Sequence, residues 1–162
     1  MIRTSMFALF TAASLLVACK GGDGGTSGAK ATEGGKPAAV KLAKLGLQVD
    51  IAGEANVGDG IGDGSVMIQG GAVGALQVEA AKAPQTLEDA KSDASMFNGK
   101  NVKEEKLADG WLLTYDNSGS AGANFFVASS RTIGGKNYKC STTVSDASQQ
   151  AAAAAACKSL RP

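Results

Sequence analysis

Asp and Glu carry most of the acid–base capacity of this sequence, since its 162 residues include 15 of them and no His. Without an imidazole the chain alone builds no Ser-His-Asp triad, no Cys-His pair, no His-ligated zinc and no facial-triad iron. A two-carboxylate hydrolase needs its acid and its partner held at a defined separation, and spacing places no such pair, Glu54 with Glu79 for example, within reach. Glu104 and Glu105, set between Lys103 and Lys106, read as a solvated strand face. The most ligand-like run is Gly58-Asp59-Gly60-Ile61-Gly62-Asp63-Gly64, two aspartates on a bendable backbone. An EF-hand loop from Asp59 would want Asp or Asn where Ile61 stands and a bidentate Glu where Gly70 stands, so a glycine-rich turn is the simpler reading. Ser27-Gly28-Ala29-Lys30 has the spacing of a serine–lysine nucleophile pair, but its glycine-rich surroundings offer nothing to desolvate Lys30. Neither G-x-G-x-x-G nor G-x-x-x-x-G-K occurs to cradle a phosphate. The expectation is therefore no catalytic residue, no metal ligands and no cofactor, with binding as the activity.

Chemistry of a different kind is concentrated in the three cysteines, Cys19, Cys140 and Cys157. Arg3 is followed by a mostly apolar run from Met6 to Val17, which ends at Ala18-Cys19-Lys20 and is too short for a bilayer span of about 20 apolar residues. The pattern is that of a secretory signal peptide. Its tetrapeptide Leu16-Val17-Ala18-Cys19 resembles the lipobox of bacterial lipoproteins: Leu three residues before the cysteine and a small residue just before it. That resemblance implies thioether-linked diacylglycerol on Cys19, cleavage of residues 1–18, and an acyl group such as palmitate on the new amino terminus. Lys20, where an Asp would favour retention in the inner membrane, implies the periplasmic face of the outer membrane. Two or more acyl chains suffice for stable anchoring.

Behind Cys19 the chain carries Gly, Ser, Thr, Ala and scattered charge, with no large apolar residue through Lys36. Residues 19–40 read as the lipidated cysteine and a flexible tether, spanning about 20 to 25 Å on average. Residues 41–162 read as one domain. Of those 122 residues, 24 are Leu, Ile, Val or Phe, near the level of about 20% below which chains tend not to fold. Such a core calls for reinforcement, and with Cys19 taken by lipid, Cys140 and Cys157 form an even pair in an exported domain, so a disulfide between them is expected.

The elements that would position these residues follow from period and punctuation. Leu45, Leu47, Val49 and Ile51 alternate as in a half-buried strand, and Val66–Gln69 and Val73–Val78 flank Gly70-Gly71 as a hairpin. Thr86 is an expected N-cap for a short helix whose Leu87, Ala90, Ala94 and Phe97 share one face. Residues 101–107 suit a polar edge strand, followed by strands at 111–115, 124–131 and 138–144. Asp146 is an expected N-cap for the alanine-rich helix that ends in Cys157. If the disulfide forms, Cys140 looks toward that helix, so Tyr138, Cys140, Thr142 and Val144 lie on the covered face, and Trp111, Leu113 and Tyr115 are expected to join it.

The sum is an α+β domain: an antiparallel sheet of about six to eight strands, a mid-chain helix, and a C-terminal helix bridged to the last strand. In element order and terminal helix it resembles small domains of the PsbP-like kind, which bears on architecture only. With 16 Lys plus Arg against 15 acids, and 8 aromatic residues, neither the basic field nor the stacking platforms of a nucleic-acid binder are present. Loss of Arg3 with the leader leaves 15 against 15. Acids dominate residues 45–81 and bases residues 131–162, which implies either internal complementarity or a dipole for docking. Three functions remain open: an anchored module for an envelope protein or small ligand, an amphiphile carrier with an apolar cavity behind Trp111 and Phe125, and a carboxylate-only hydrolase.

Overall fold

A computed structural model describes residues 35–119 and 122–162; the lipobox, Cys19 and the Ser27–Lys30 spacing lie outside them. Strands β1 (Ala38–Leu42) and β2 (Leu47–Ile51) form a two-stranded hairpin. Strands β3 (Ala55–Asp59), β4 (Ser65–Gly70), β5 (Gly74–Ala81), β6 (Lys100–Leu107), β7 (Gly110–Gly119), β8 (Gly122–Ile133) and β9 (Lys136–Val144) form one antiparallel sheet in the order β3-β4-β5-β9-β8-β7-β6. Helix α1 (Leu87–Met96) links β5 to β6, and α2 (Ala147–Ser159) follows β9. The fold is α+β, and its seven-stranded sheet falls within the expected range. Strands β1 and β3 carry too few large apolar residues to stand out in the sequence. Among the described residues the first strand starts at Ala38, within the stretch read as tether.

Register divides the sheet into two faces. Val66 pairs with Val78, Val78 with Cys140, Cys140 with Ser129, and Ser129 with Leu112, which sets these side chains on one face. The β1–β2 hairpin and α2 cover that face, burying Leu42, Val49, Ile51, Ile68 and Leu76 together with Tyr138, Cys140, Ala153, Ala156 and Cys157. Trp111, Leu113 and Tyr115 do not join them. Since Leu112 pairs opposite Ser129, its neighbours at odd positions point the other way, where they pack against Ala90 and Ala94 of α1. A strand buried on both faces loses the alternation that would reveal this, and Leu112-Leu113 are both buried.

A second departure is at Gly70-Gly71. Instead of a two-residue turn, a 3-10 turn over Gly71–Val73 connects β4 to β5 and buries Val73 against α2. Gly70, Gly71 and Gly74 all hold positive φ, at 97°, 56° and 68°, a path that side-chain-bearing residues rarely take. Both expected N-caps form. Thr86 Oγ1 accepts from the Asp89 backbone N–H at 3.1 Å, and Asp146 Oδ1 accepts from those of Ser148 and Gln149 at 2.6 and 3.3 Å.

Hydrogen bonds from the Ser148 hydroxyl, then from the Ser148 and Gln149 amides, hold the Asp146 carboxyl below its ordinary pKa. A depressed folded-state pKa gives stability that is present above the unfolded value near 3.9 and fades as pH falls through the folded one. Replacing Asp146 with Asn is therefore expected to keep the cap while flattening the acid limb of a stability-versus-pH curve. Parallel acid limbs for parent and variant would refute this role.

Cys140 and Cys157 are bridged, their Cα atoms 5.7 Å apart and both residues fully buried. Close by, Arg131 Nη1 donates to the carbonyls of Cys157, Lys158 and Leu160 at 3.0, 2.7 and 3.0 Å, closing the C-terminal end of α2. Its Nε and Nη2 fork onto Asp109 at 2.9 and 2.7 Å. Past the helix, Arg161 exchanges backbone bonds with Gln48 and forks onto Asp50 at 2.7 and 3.0 Å. With Lys139 beside Glu79 at 4.0 Å, the acidic early segment and the basic late one meet inside the fold, so internal complementarity accounts for part of that pattern.

Candidate functional site

The residues weighed for catalysis do not converge. Glu54 is exposed in the β2–β3 link beside Gly70, whereas Glu79 pairs with Ser65, at the opposite end of β4. Asp59 bonds to Lys44 at 3.0 Å. Among the described residues no group of three or more Cys, Asp or Glu is placed to hold a metal ion. Trp111 and Phe125 cannot flank one cavity, because Trp111 packs under α1 with its Nε1 donating to the Gln85 carbonyl at 2.9 Å, while Phe125 sits on the α2 face opposite Val144. The one buried side-chain polar atom without a partner among the described residues, Ser129 Oγ, lies between Leu112 and Cys140 with no base beside it.

An apolar site does exist, one residue further along β8. Helix α1 covers only the β7 side of its face, and β4, β5, β9 and part of β8 are left bare. There a groove of about 460 Å³ runs between Phe97 and Phe126 on one side and Met67 and Gln77 on the other, floored by Ala75, Ala128, Ser141 and Thr143. That volume is in the range of ligand pockets, about 300 to 1,000 Å³. No charged side chain lines it.

Its walls are built with some care for position. Tyr115 and Phe126, directly opposite on β7 and β8, stack with centroids 4.5 Å apart and planes 6° apart, and Phe97 stacks on Phe126 at 6.1 Å. Burial raises the Tyr115 pKa, with the Asp93 charge adding to it. Phe97 was expected to be buried with Leu87, Ala90 and Ala94, yet it is the C-cap of α1 and remains 55% exposed. The turn that follows fixes it. Asn98 and Asn101 hold φ of 54° and 51°, left-handed conformations that Asn tolerates best among side-chain-bearing residues, and a Cβ on Gly99 would lie 2.7 Å from the Ala94 carbonyl. Asn117 Nδ2 donates to the Phe97 carbonyl at 3.0 Å and is itself braced by Asn124 at 3.2 Å.

Across the groove the glycine-rich loop once weighed as an ion site has a different task. Gln77 accepts from the Ile61 backbone N–H at 3.2 Å and donates to its carbonyl at 3.4 Å, while Ser65 Oγ donates to the Gly62 carbonyl at 2.7 Å. The Ile61 side chain, 80% exposed, is thereby held at the loop tip. Sequence reading missed this groove because its parts come from a helix end, a loop and four strands whose pairing no local pattern reveals. No protein-family model matches the chain, and no curated protein is detectably similar to it.

Proposed function

We propose that this is a lipid-anchored protein of the bacterial cell envelope whose folded domain binds a partner and performs no catalysis. The anchored half is carried by Leu16-Val17-Ala18-Cys19 at the end of an apolar leader, followed by a stretch with nothing to bury. Lys20 after the cysteine favours the outer membrane, facing the periplasm. A disulfide at Cys140–Cys157 is in keeping with an oxidising compartment, and no helix among the described residues is long and apolar enough to cross a membrane. The uncharged groove on the bare sheet face supports the binding half, and Glu54 and Glu79, the pair named as an example, lie toward opposite ends of β4. Acyl chains on Cys19 are the membrane contact.

Fractionation of cells fed labelled palmitate tests the anchor. The parent chain is expected in the membrane fraction with label incorporated, and Cys19→Ser in the soluble envelope fraction or unprocessed, without label. A Cys19→Ser chain that is labelled and sediments with membranes as the parent does would overturn the assignment.

A further inference from the structure

We propose that the segment from Met96 to Lys103 is a second membrane contact, which sets one end of the sheet against the surface of a phospholipid bilayer. This rests on reading the chain as lipid-anchored and adds how its domain meets the membrane. Large exposed apolar side chains gathered in one place mark an interaction site. Of the five among the described residues, Met96, Phe97 and Val102 fall within seven positions and are 70%, 55% and 46% exposed. Lys100 and Lys103 stand among them, and no Asp or Glu occurs from Ala94 to Lys103. Neither lysine is in an ion pair among the described residues, and Asp116, opposite Lys100, is engaged by Asn101 Nδ2 at 2.9 Å. Apolar side chains flanked by cations suit the headgroup region, where the ring and the thioether enter and the ammonium groups stay at the level of the phosphates. The segment is also held in shape, with Asn98 and Asn101 at positive φ and the Phe97 carbonyl fixed by Asn117. Side chains fixed before contact lose little entropy on binding.

Where the chain enters the domain points to the partner. A Cβ on Gly35 would stand 3.5 Å from the Gly53 nitrogen, and one on Gly53 would stand 3.3 Å from the Gly71 Cα, so the entry lies beside the Gly70–Gly74 turn. Gln77 pairs with Ser141, which puts Gly74, just before Gln77 on β5, level with Val144, equally far beyond Ser141 on β9. Val144 pairs with Phe125, Phe125 with Asp116, and Asp116 with Lys100. The entry and the Met96–Lys103 segment therefore share one end of the sheet. Residues 20–34, read as tether, span about 20 Å as a coil, so acyl chains on Cys19 would keep this end within reach of the bilayer at a high effective concentration. Between the two, the β7–β8 hairpin from Asn117 to Asn124 carries no charged residue to oppose approach. Glu54, beside Gly70, and Asp146, just past β9, also lie at this end. Contact is thus by apolar insertion rather than net charge, and zwitterionic lipid suffices. Ile61 and Trp111 are at the far end, Ile61 in the loop before Ser65, which pairs with Glu79, and Trp111 opposite Lys106 and Ser130.

The test takes the chain from residue 19 onward and couples it through the Cys19 thiol, the one left free once Cys140 and Cys157 are bridged, to a maleimide-bearing phospholipid in phosphatidylcholine vesicles. Phe97→Trp and Ile61→Trp each add a second tryptophan to Trp111, and emission is compared in vesicles with and without bromine on the acyl chains. Bromine is expected to quench most of the added emission of Phe97→Trp while leaving Ile61→Trp and the parent nearly unchanged. Met96→Trp repeats the measurement with the Phe97 ring in place, and all three positions are exposed, so the variants should keep the parent's circular dichroism. Absence of quenching in both Phe97→Trp and Met96→Trp, or quenching as strong in Ile61→Trp, would overturn the proposal. Sedimentation of the uncoupled chain should show a monomer; a dimer that Phe97→Ser splits would assign the segment to a second copy and overturn it as well. Because the coupling is chemical, failure of the Cys19 fractionation leaves this measurement intact, so the two readings fail separately.

Discussion

Replacing both Cys140 and Cys157 with Ala is expected to lower the unfolding free energy by about 3 kcal/mol, the chain-entropy value for the 17-residue separation of the bridge. The loss should be a large fraction of the total, because a domain of this size has only about 5 to 15 kcal/mol to lose. Urea unfolding of parent and variant under non-reducing conditions measures it through the shift in midpoint. Reduced parent protein is the necessary control, since it restores the loop to the denatured chain while keeping both sulfurs in the core. Because both cysteines are fully buried, thiol reagents should reach them only after the domain opens, and reduction should be slow in native buffer and fast in urea. Equal midpoints for oxidised and reduced parent would show that α2 is held without the bridge, by the packing of Ala153, Ala156 and Leu160 and the Arg131 hydrogen bonds at its end.

The bridge and both helix caps were legible in the sequence because each is a local or compositional signal: an even cysteine pair in an exported domain, and Thr or Asp just before a helical run. The faces of the sheet were not. Trp111, Leu113 and Tyr115 share one face of their strand as Tyr138, Cys140 and Thr142 share one of theirs, but a period of two does not say which of the two sheet faces each set joins, and in β7 the buried Leu112 blurs the alternation as well. That depends on register across β8, where Leu112 meets Ser129 and Ser129 meets Cys140. Phe97 was misplaced for a related reason. Helical period assigns it to the buried stripe of α1, but the helix ends at Met96, and the Asn98–Gly99 turn carries the chain away with the ring still in solvent. Ile61 was legible only as part of a glycine-rich loop, since its support comes from Gln77, 16 residues on, across a strand pairing. The groove is thus a product of long-range pairing, and composition could point only as far as a binding function.

Arg131→Met should cost about 2 to 3 kcal/mol, near the lower end of what removing one partner of a buried ion pair does, because Asp109 stays 29% exposed and water relieves part of its loss. Methionine keeps the aliphatic bulk but none of the five donors. The substitution leaves the Asp109 carboxylate without its fork and the carbonyls of Cys157, Lys158 and Leu160 without the Nη1 donor. Arg131→Lys should fall between the two, since an ammonium is a point donor and cannot serve a carboxylate and a helix end in one plane. A cycle with Asp109→Asn separates the two roles: if the fork to Asp109 dominates, Arg131→Met costs little more in the Asp109→Asn background, whereas a dominant helix cap keeps its cost there. Geometry favours the cap, with three carbonyl contacts of 2.7 to 3.0 Å converging on one nitrogen, and hydrogen exchange should therefore rise at the C-terminal end of α2 in Arg131→Met. An unfolding free energy within about 0.5 kcal/mol of the parent, the range of ordinary surface substitutions, would remove Arg131 from the account of how this domain is held together.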